Sequence, residues 1–398
     1  MKVYHTHTDF EKLLELLKTA EKELQVKPFI VMESTGHYHK LLFYFLRNSG
    51  YDASVVNPIQ TDSIKNIGIR KVKSDKVDAK KVALLARLGE IQPTNIPDED
   101  ILGLRSLVRQ YYNLVDERTA YKNRMTSILD QIMLNYKDIF NNIFSETSLS
   151  VLEKYPTPQA IIDAGKDELI KLMSGCSNKN LKWTMDKANL LLEKAEAFKA
   201  ISISTIANIT MLRNYISLIR AMDKSIEFIM EGIEAHIKKS DSISLEVELL
   251  STIPGINIIT AATIVAEIGD FSLFKNPKKL VAFFGLDSSV CQSGQFEGSE
   301  NHISKRGSRL LRRVLYMVAL ASIREKRNGE KTNQVLYEFY EGKCVNKPKK
   351  VALIAVMHKL VFVIFAVLRD RKPFVLRKPE EHAKTLMNLR PQGVKKPA

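Results

Sequence analysis

Between Ile101 and Ile132 the apolar residues keep one alternating three-and-four register: Ile101, Leu104, Val108, Tyr111, Val115, Met125, Leu129 and Ile132. That spacing holds one stripe of a helix apolar, and at about 1.5 Å per residue the stripe runs for roughly 50 Å. A helix of that length cannot bury its stripe inside a small domain, so a second long helix has to lie along it. Arg118 and Lys122 occupy the two positions that interrupt the stripe, a polar break in a coiled-coil seam. The expected partner is either a second copy of the chain, giving a homo-oligomer through the coiled coil, or an antiparallel helix from the same chain.

The segments on either side divide the chain. Ahead of the seam, short apolar runs alternate with amphipathic stretches, the pattern of an α/β domain. Lys2–His7 reads as a strand, Phe10–Leu24 as a helix, Pro28–Met32 as a strand ending at Glu33, His37–Asn48 as a helix, Tyr51–Val56 as a strand, and Ser74–Leu88 as a helix. Pro93 and Pro97 mark a linker. The predicted organisation is an α/β domain over 1–92, linker and coiled coil over 93–136, a helical region over 137–244, a mostly helical C-terminal domain over 245–372, and a basic tail over 373–398.

Charge is distributed unevenly. Residues 301–398 hold 23 Lys and Arg against 7 Asp and Glu, a net of +16, whereas the preceding 300 residues balance at −1. A polyanionic partner is therefore expected at the C-terminal end. Three cysteines, Cys176, Cys291 and Cys344, are too few and too scattered for a disulfide framework or a paired metal site. Asp9, Glu11 and Glu15 stand where an export signal would be apolar, which points to the cytoplasm. The apolar run Val351–Leu368 contains His358 and Lys359 and reads as a buried helix, so no membrane partner is expected.

Three carboxylates draw notice. Asp75 and Asp78 are three apart at the start of a predicted helix and share one face, and Glu33 closes a buried strand. Acidic residues in a first helical turn also favour the helix dipole, and a strand-end Glu can simply mark where the chain meets solvent. Taken together they fit a geometry in which a strand and a helix bring carboxylates to a pair of divalent cations for phosphoryl transfer. Magnesium suits such an all-oxygen site.

Farther along, Pro254-Gly255-Ile256-Asn257 between apolar stretches resembles a helix-hairpin-helix turn whose backbone N–H groups hold phosphate. Asn257 replaces the usual second glycine, and a plain helix-packing turn explains the segment equally. Lys305, Arg306, Arg309, Arg312 and Arg313 lie at short steps, with Arg309, Arg312 and Arg313 on one helix face, inside the region that carries the charge excess. They are expected to grip nucleic-acid phosphates.

The wording of two blocks is more specific than their spacing. Val31-Met32-Glu33-Ser34-Thr35-Gly36-His37-Tyr38, Val56-Asn57-Pro58 and Lys73-Ser74-Asp75-Lys76-Val77-Asp78-Ala79 resemble the N-terminal half of the DEDD transposases of bacterial insertion sequences, the IS110 family. Ile253-Pro254-Gly255-Ile256, Gly285-Leu286-Asp287, Gln292-Ser293-Gly294 and Ser304–Arg313 resemble that family's second conserved domain, in order. The resemblance implies a ribonuclease-H, RuvC-like N-terminal domain, a coiled coil, and a C-terminal domain that completes the active site with a serine. Glu33, Asp75 and Asp78 then correspond to metal-binding carboxylates, with two magnesium ions in an intact site. Ser293 corresponds to the nucleophile that links covalently to DNA, and a bridge RNA selects the DNA partners. Work on DNA implies a cytoplasmic, nucleoid-associated bacterial protein.

In that family a first strand with a Gly-Ile-Asp-type segment supplies the first carboxylate, and no counterpart precedes Glu33 here. Asp9 reads as a helix cap before Phe10 and not as a substitute. The expected fold is accordingly a RuvC-like domain without its first strand, and an inactive copy is expected. A RuvC-like junction-resolving nuclease using water, or a non-catalytic nucleic-acid-binding remnant, are the rival readings.

Overall fold

The computed structural model describes residues 3–34, 37–56, 75–88, 91, 98–288, 292–293, 296–297 and 302–377. They fall into two compact units, 1–96 and 97–398.

The first unit is built on a β-α-β arrangement. Helix α1 (His7–Leu24) precedes strand β1 (Ile30–Glu33), helix α2 (His39–Asn48), strand β2 (Ala53–Val56) and helix α3 (Asp75–Arg87). Strands β1 and β2 pair in parallel, with Ile30 opposite Ala53 and Glu33 opposite Val56. Parallel neighbours require a crossover, which α2 provides. Leu46 of α2 and Ala53, Ser54 and Val56 of β2 are buried.

The expected strand at Lys2–His7 is not formed among its described residues. Thr6 instead caps α1 by accepting the Asp9 N–H at 3.3 Å, and the Asp9 carboxylate accepts the Tyr4 N–H at 3.0 Å. Once those polar groups are satisfied locally, the segment has no reason to pair with a sheet. Asp9 therefore lies in the first helical turn, with Thr6 as the cap. The Tyr4 N–H holds its carboxyl below the usual range.

Among the described residues the regular structure of the second unit is helical apart from a short hairpin and two isolated bridges. Helix α4 (Glu99–Ile132) and helix α8 (Ile206–Lys239) are each 34 residues long and lie antiparallel. The His236 ring meets the Asp100 carbonyl at 2.6 Å near one end, Arg118 pairs with Asp223 in the middle, and the Ile203 N–H reaches the Gln131 carbonyl at 3.0 Å at the other. Of the two partners expected for the apolar seam, the structure supplies the one within the chain. Arg118 fills the polar break through Asp223, while the Lys122 ammonium lies 4.9 Å from the centre of the Phe144 ring.

The helix pair joins two cores. At one end Met125, Leu129 and Ile132 of α4, with Leu212, Ile216 and Ile219 of α8, pack against α5 (Glu146–Lys154), α6 (Pro158–Gly175) and α7 (Leu181–Phe198). At the other end Leu104 and Val108, with Ile233 and Ile237, enter the core of the C-terminal module. That module consists of α9 (Asp241–Ser251), α10 (Ile258–Ile268), α11 (Pro277–Phe283), hairpin strands β3 (Gln292–Ser293) and β4 (Phe296–Glu297), α12 (Arg309–Ser322), α13 (Gln334–Cys344) and α14 (Lys349–Asp370). Helix α14 is the one described helix long and apolar enough to cross a membrane. It packs against α9, α11, α12 and α13, burying Leu353, Val356, Leu360, Val361 and Ile364 in the module's core. Phe374 follows it back over the module, its N–H bonded to Thr252 Oγ1 at 2.8 Å. The tail from 378 on lies outside the described residues.

Candidate active site and nucleic-acid interface

In the first unit, Glu33 ends β1 and is partly exposed. The following Ser34 N–H continues the pairing to the Val56 carbonyl at 3.0 Å. Helix α3 begins at Asp75, carries Asp78 one turn later, and packs against β1. The fold thus sets the helix bearing both aspartates on the strand that ends in Glu33. The side chains of Asp75 and Asp78 lie outside the described residues. His37 and Tyr38, which follow Glu33, stack with ring centroids 4.4 Å apart, and the His5 ring meets the Tyr38 carbonyl at 2.7 Å. At the start of α2, His39 Nδ1 is buried without a hydrogen-bond partner among the described residues.

In the second unit, Ser293 lies in β3 opposite Phe296 of β4, its side chain outside the described residues. The hairpin rises from two chain segments locked together. Ser288 and Ile303 form an antiparallel bridge; the Ser304 N–H donates to the Asp287 carbonyl at 2.8 Å and the Ser304 hydroxyl to the Asp287 carboxylate at 2.5 Å. Next, the Lys305 N–H reaches the Gly285 carbonyl at 3.2 Å and the Ser308 N–H reaches that of Phe283 at 3.0 Å. Gly285 and Gly307 face each other so closely that a Cβ on Gly285 would stand 2.6 Å from the Gly307 nitrogen.

This turn sorts the five basic residues predicted to grip phosphate. Lys305, Arg306 and Arg309 are exposed, and no ion pair engages them among the described residues. Arg312 is instead drawn inward, donating Nη1 to the Gly307 carbonyl at 2.8 Å and the Phe284 carbonyl at 3.2 Å. Its burial, then the nearby Arg309, push its pKa down from the ordinary range. Arg313 makes two 2.6 Å bonds to Asp116 of α4 and lies over the Tyr112 ring at 5.2 Å. Arg309, Arg312 and Arg313 therefore do not present one common cationic face: the last two already have partners.

Gly255 occupies the turn between α9 and α10 with φ +101°, and a Cβ there would come 2.7 Å from Ser322 Oγ. Ser322 in turn donates to the Pro254 carbonyl at 2.9 Å. Close approach to α12 accounts for this glycine. Asn257 caps α10 by accepting the Thr260 N–H at 2.8 Å.

The charged groups that tie this module together were not singled out from sequence. Glu267 is the one charged residue in an otherwise uncharged helix, and that isolation was the available signal. Arg109 and Asp116 lie on α4, distant in sequence from the groups they bind.

Comparison with known proteins follows the same division. Residues 1–134 match a DEDD-type IS110 family described as Transposase, and residues 247–335 match one described as Transposase IS116/IS110/IS902 family. Between them these matches cover more than half of the chain. This chain belongs to the IS110/IS116 family of insertion-sequence transposases. A 44.8 kDa protein of insertion element IS116 from Streptomyces clavuligerus is 23% identical over 93% of this chain and 89% of its own length. A pilin gene-inverting protein of Moraxella lacunata is 31% identical over 39% of this chain and 47% of its own. The transposase of insertion sequence element IS1111A from Coxiella burnetii is 29% identical over 35% and 38%. The transposase family makes DNA the expected partner, and enzymes of the DEDD class generally use a divalent metal.

Proposed function

We propose that this transposase cuts and rejoins DNA through Glu33, Asp75 and Asp78 of a RuvC-like first unit and through Ser293 of the C-terminal module. The observation that carries the reading is the packing of the helix bearing Asp75 and Asp78 on the strand that ends in Glu33. An all-carboxylate donor set fits magnesium, which when bound stabilises charge on a reacting phosphate. The Ser293 oxygen would form a bond to phosphorus while one bridging P–O bond breaks, and the released sugar oxygen takes a proton. The result is a protein–DNA phosphodiester that a second DNA hydroxyl resolves, restoring the serine.

Lys305, Arg306 and Arg309 would hold the backbone of DNA, or of a bridge RNA that selects it, beside the hairpin. Such contacts position the polymer without reading bases. Because α8 already covers the buried seam residues of α4, self-association would use another face. The setting we infer is the bacterial nucleoid.

The test incubates the full chain with magnesium and DNA carrying the sequences that flank its own coding region. A covalent adduct on denaturing gels that disappears in Ser293→Ala is the result this reading requires, and it would overturn the expectation from the sequence that this copy is inactive. Cleavage without an adduct would replace this reading with a junction nuclease using water, and binding without cleavage would leave a nucleic-acid-binding protein.

A further inference from the structure

Glu267 is the one charged residue of helix α10, whose other residues are apolar except for Thr260 and Thr263. That carboxylate is only 5% exposed, and both its oxygens are engaged by other elements. Arg109 of α4 donates Nε to Oε1 at 2.6 Å and Nη2 to Oε2 at 3.2 Å. The Ser308 hydroxyl donates to Oε2 at 3.1 Å. Arg105, one turn before Arg109, adds a bond to the Ala266 carbonyl at 2.7 Å. A buried charge is costly unless it is paired in this way, so packing alone would favour an apolar residue here.

Ser308 is the hinge of the arrangement. It caps α12 by accepting the Leu311 N–H at 3.3 Å, and its own N–H closes the turn onto the Phe283 carbonyl. Moving outward along the same two segments, Lys305 meets Gly285, Ser304 meets Asp287, Ile303 bridges Ser288, and the hairpin with Ser293 follows.

We propose that Glu267 is a positioning residue for the serine hairpin: held between Arg109 and Ser308, it fixes the turn from which the hairpin rises and so sets how Ser293 is presented. This rests on the reading of Ser293 as nucleophile. Since α4 also enters the distant core through Met125 and Leu129, Arg109 links the seating of the hairpin to the long helix pair.

The test uses the full chain with Glu267→Gln, Ser308→Ala and Ser308→Thr, the last keeping both hydroxyl and cap. Amide hydrogen exchange at Ser304, Lys305 and Ser308 is measured beside DNA affinity and the rate of adduct formation. Glu267→Gln and Ser308→Ala should speed exchange at these amides by about tenfold, as expected for loss of one hydrogen bond. Adduct formation at saturating DNA, where a change of affinity at Lys305, Arg306 or Arg309 in the same turn does not enter, should slow by roughly 10- to 100-fold, the scale of a misplacement of about 1 Å, with Ser308→Thr restoring both exchange and rate. Unchanged exchange at the three amides, or an equal rise throughout α14, overturns the proposal. If Ser293→Ala still forms an adduct, the nucleophile reading fails separately, and exchange alone decides whether Glu267 holds the turn.

Discussion

Arg118 of α4 donates to the Asp223 carboxylate of α8 at 2.5 Å, midway along the antiparallel pair. The polar break in the apolar seam is thus matched by a polar residue on the facing helix, which favours this alignment of the two helices over a shifted one. The side chains retain 27% and 40% exposure, so solvent screens the pair and its contribution to stability is modest, about 1 kcal/mol or less. Asp223→Ala should lower the thermal midpoint slightly. Replacing both residues by leucine should be neutral or stabilising, because no charge is then left to desolvate. A large loss of stability in the double variant, seen by calorimetry, would count against this account.

Gly255 separates a packing role from a phosphate-binding one. Its positive φ and the closeness of Ser322 to the place a Cβ would take predict that Gly255→Ala costs about 1–3 kcal/mol. The thermal midpoint should fall while DNA affinity, measured below that midpoint, stays at the wild-type value. Loss of affinity without loss of stability would assign the turn to the nucleic acid.

Lys305, Arg306 and Arg309 differ from Arg313 in what they can do. Removing all three should flatten the dependence of log affinity on log salt by about 0.9 for each phosphate left without its cation, hence roughly 2.7 on duplex DNA. Arg313→Ala should instead lower stability through Asp116 and leave the salt slope alone. Filter binding across a salt series distinguishes the two outcomes.

Glu246 of α9 gives a pH dependence. Burial raises its carboxyl above the ordinary 4.5, with Arg371 opposing and Asp270 reinforcing the shift. A group whose folded pKa is raised contributes stability below its unfolded value and loses that contribution as pH climbs through the folded one. Glu246→Gln should therefore be more stable than wild type at neutral pH and match it below about 4.5. Thermal midpoints recorded across that range are the check.

The sequence by itself determined the elements whose information is local. Apolar register specified the long helix from Glu99 to Ile132, alternating runs marked β1, α2, β2 and α3 within two residues or so, and the two motif blocks identified the family. The strand expected at Lys2–His7 was the exception, because Thr6 and Asp9 satisfy a helix start that hydrophobic alternation does not register. Tertiary structure alone decided which charges are available. Arg309, Arg312 and Arg313 look equivalent as letters, yet folding delivers Arg312 to two turn carbonyls and Arg313 to an aspartate 197 positions away. It likewise chose α8 as the partner of the seam and placed Glu267 between Arg109 and Ser308. These are long-range pairings, set by which apolar faces can be buried together, and one helix's periodicity carries no record of its partner's identity.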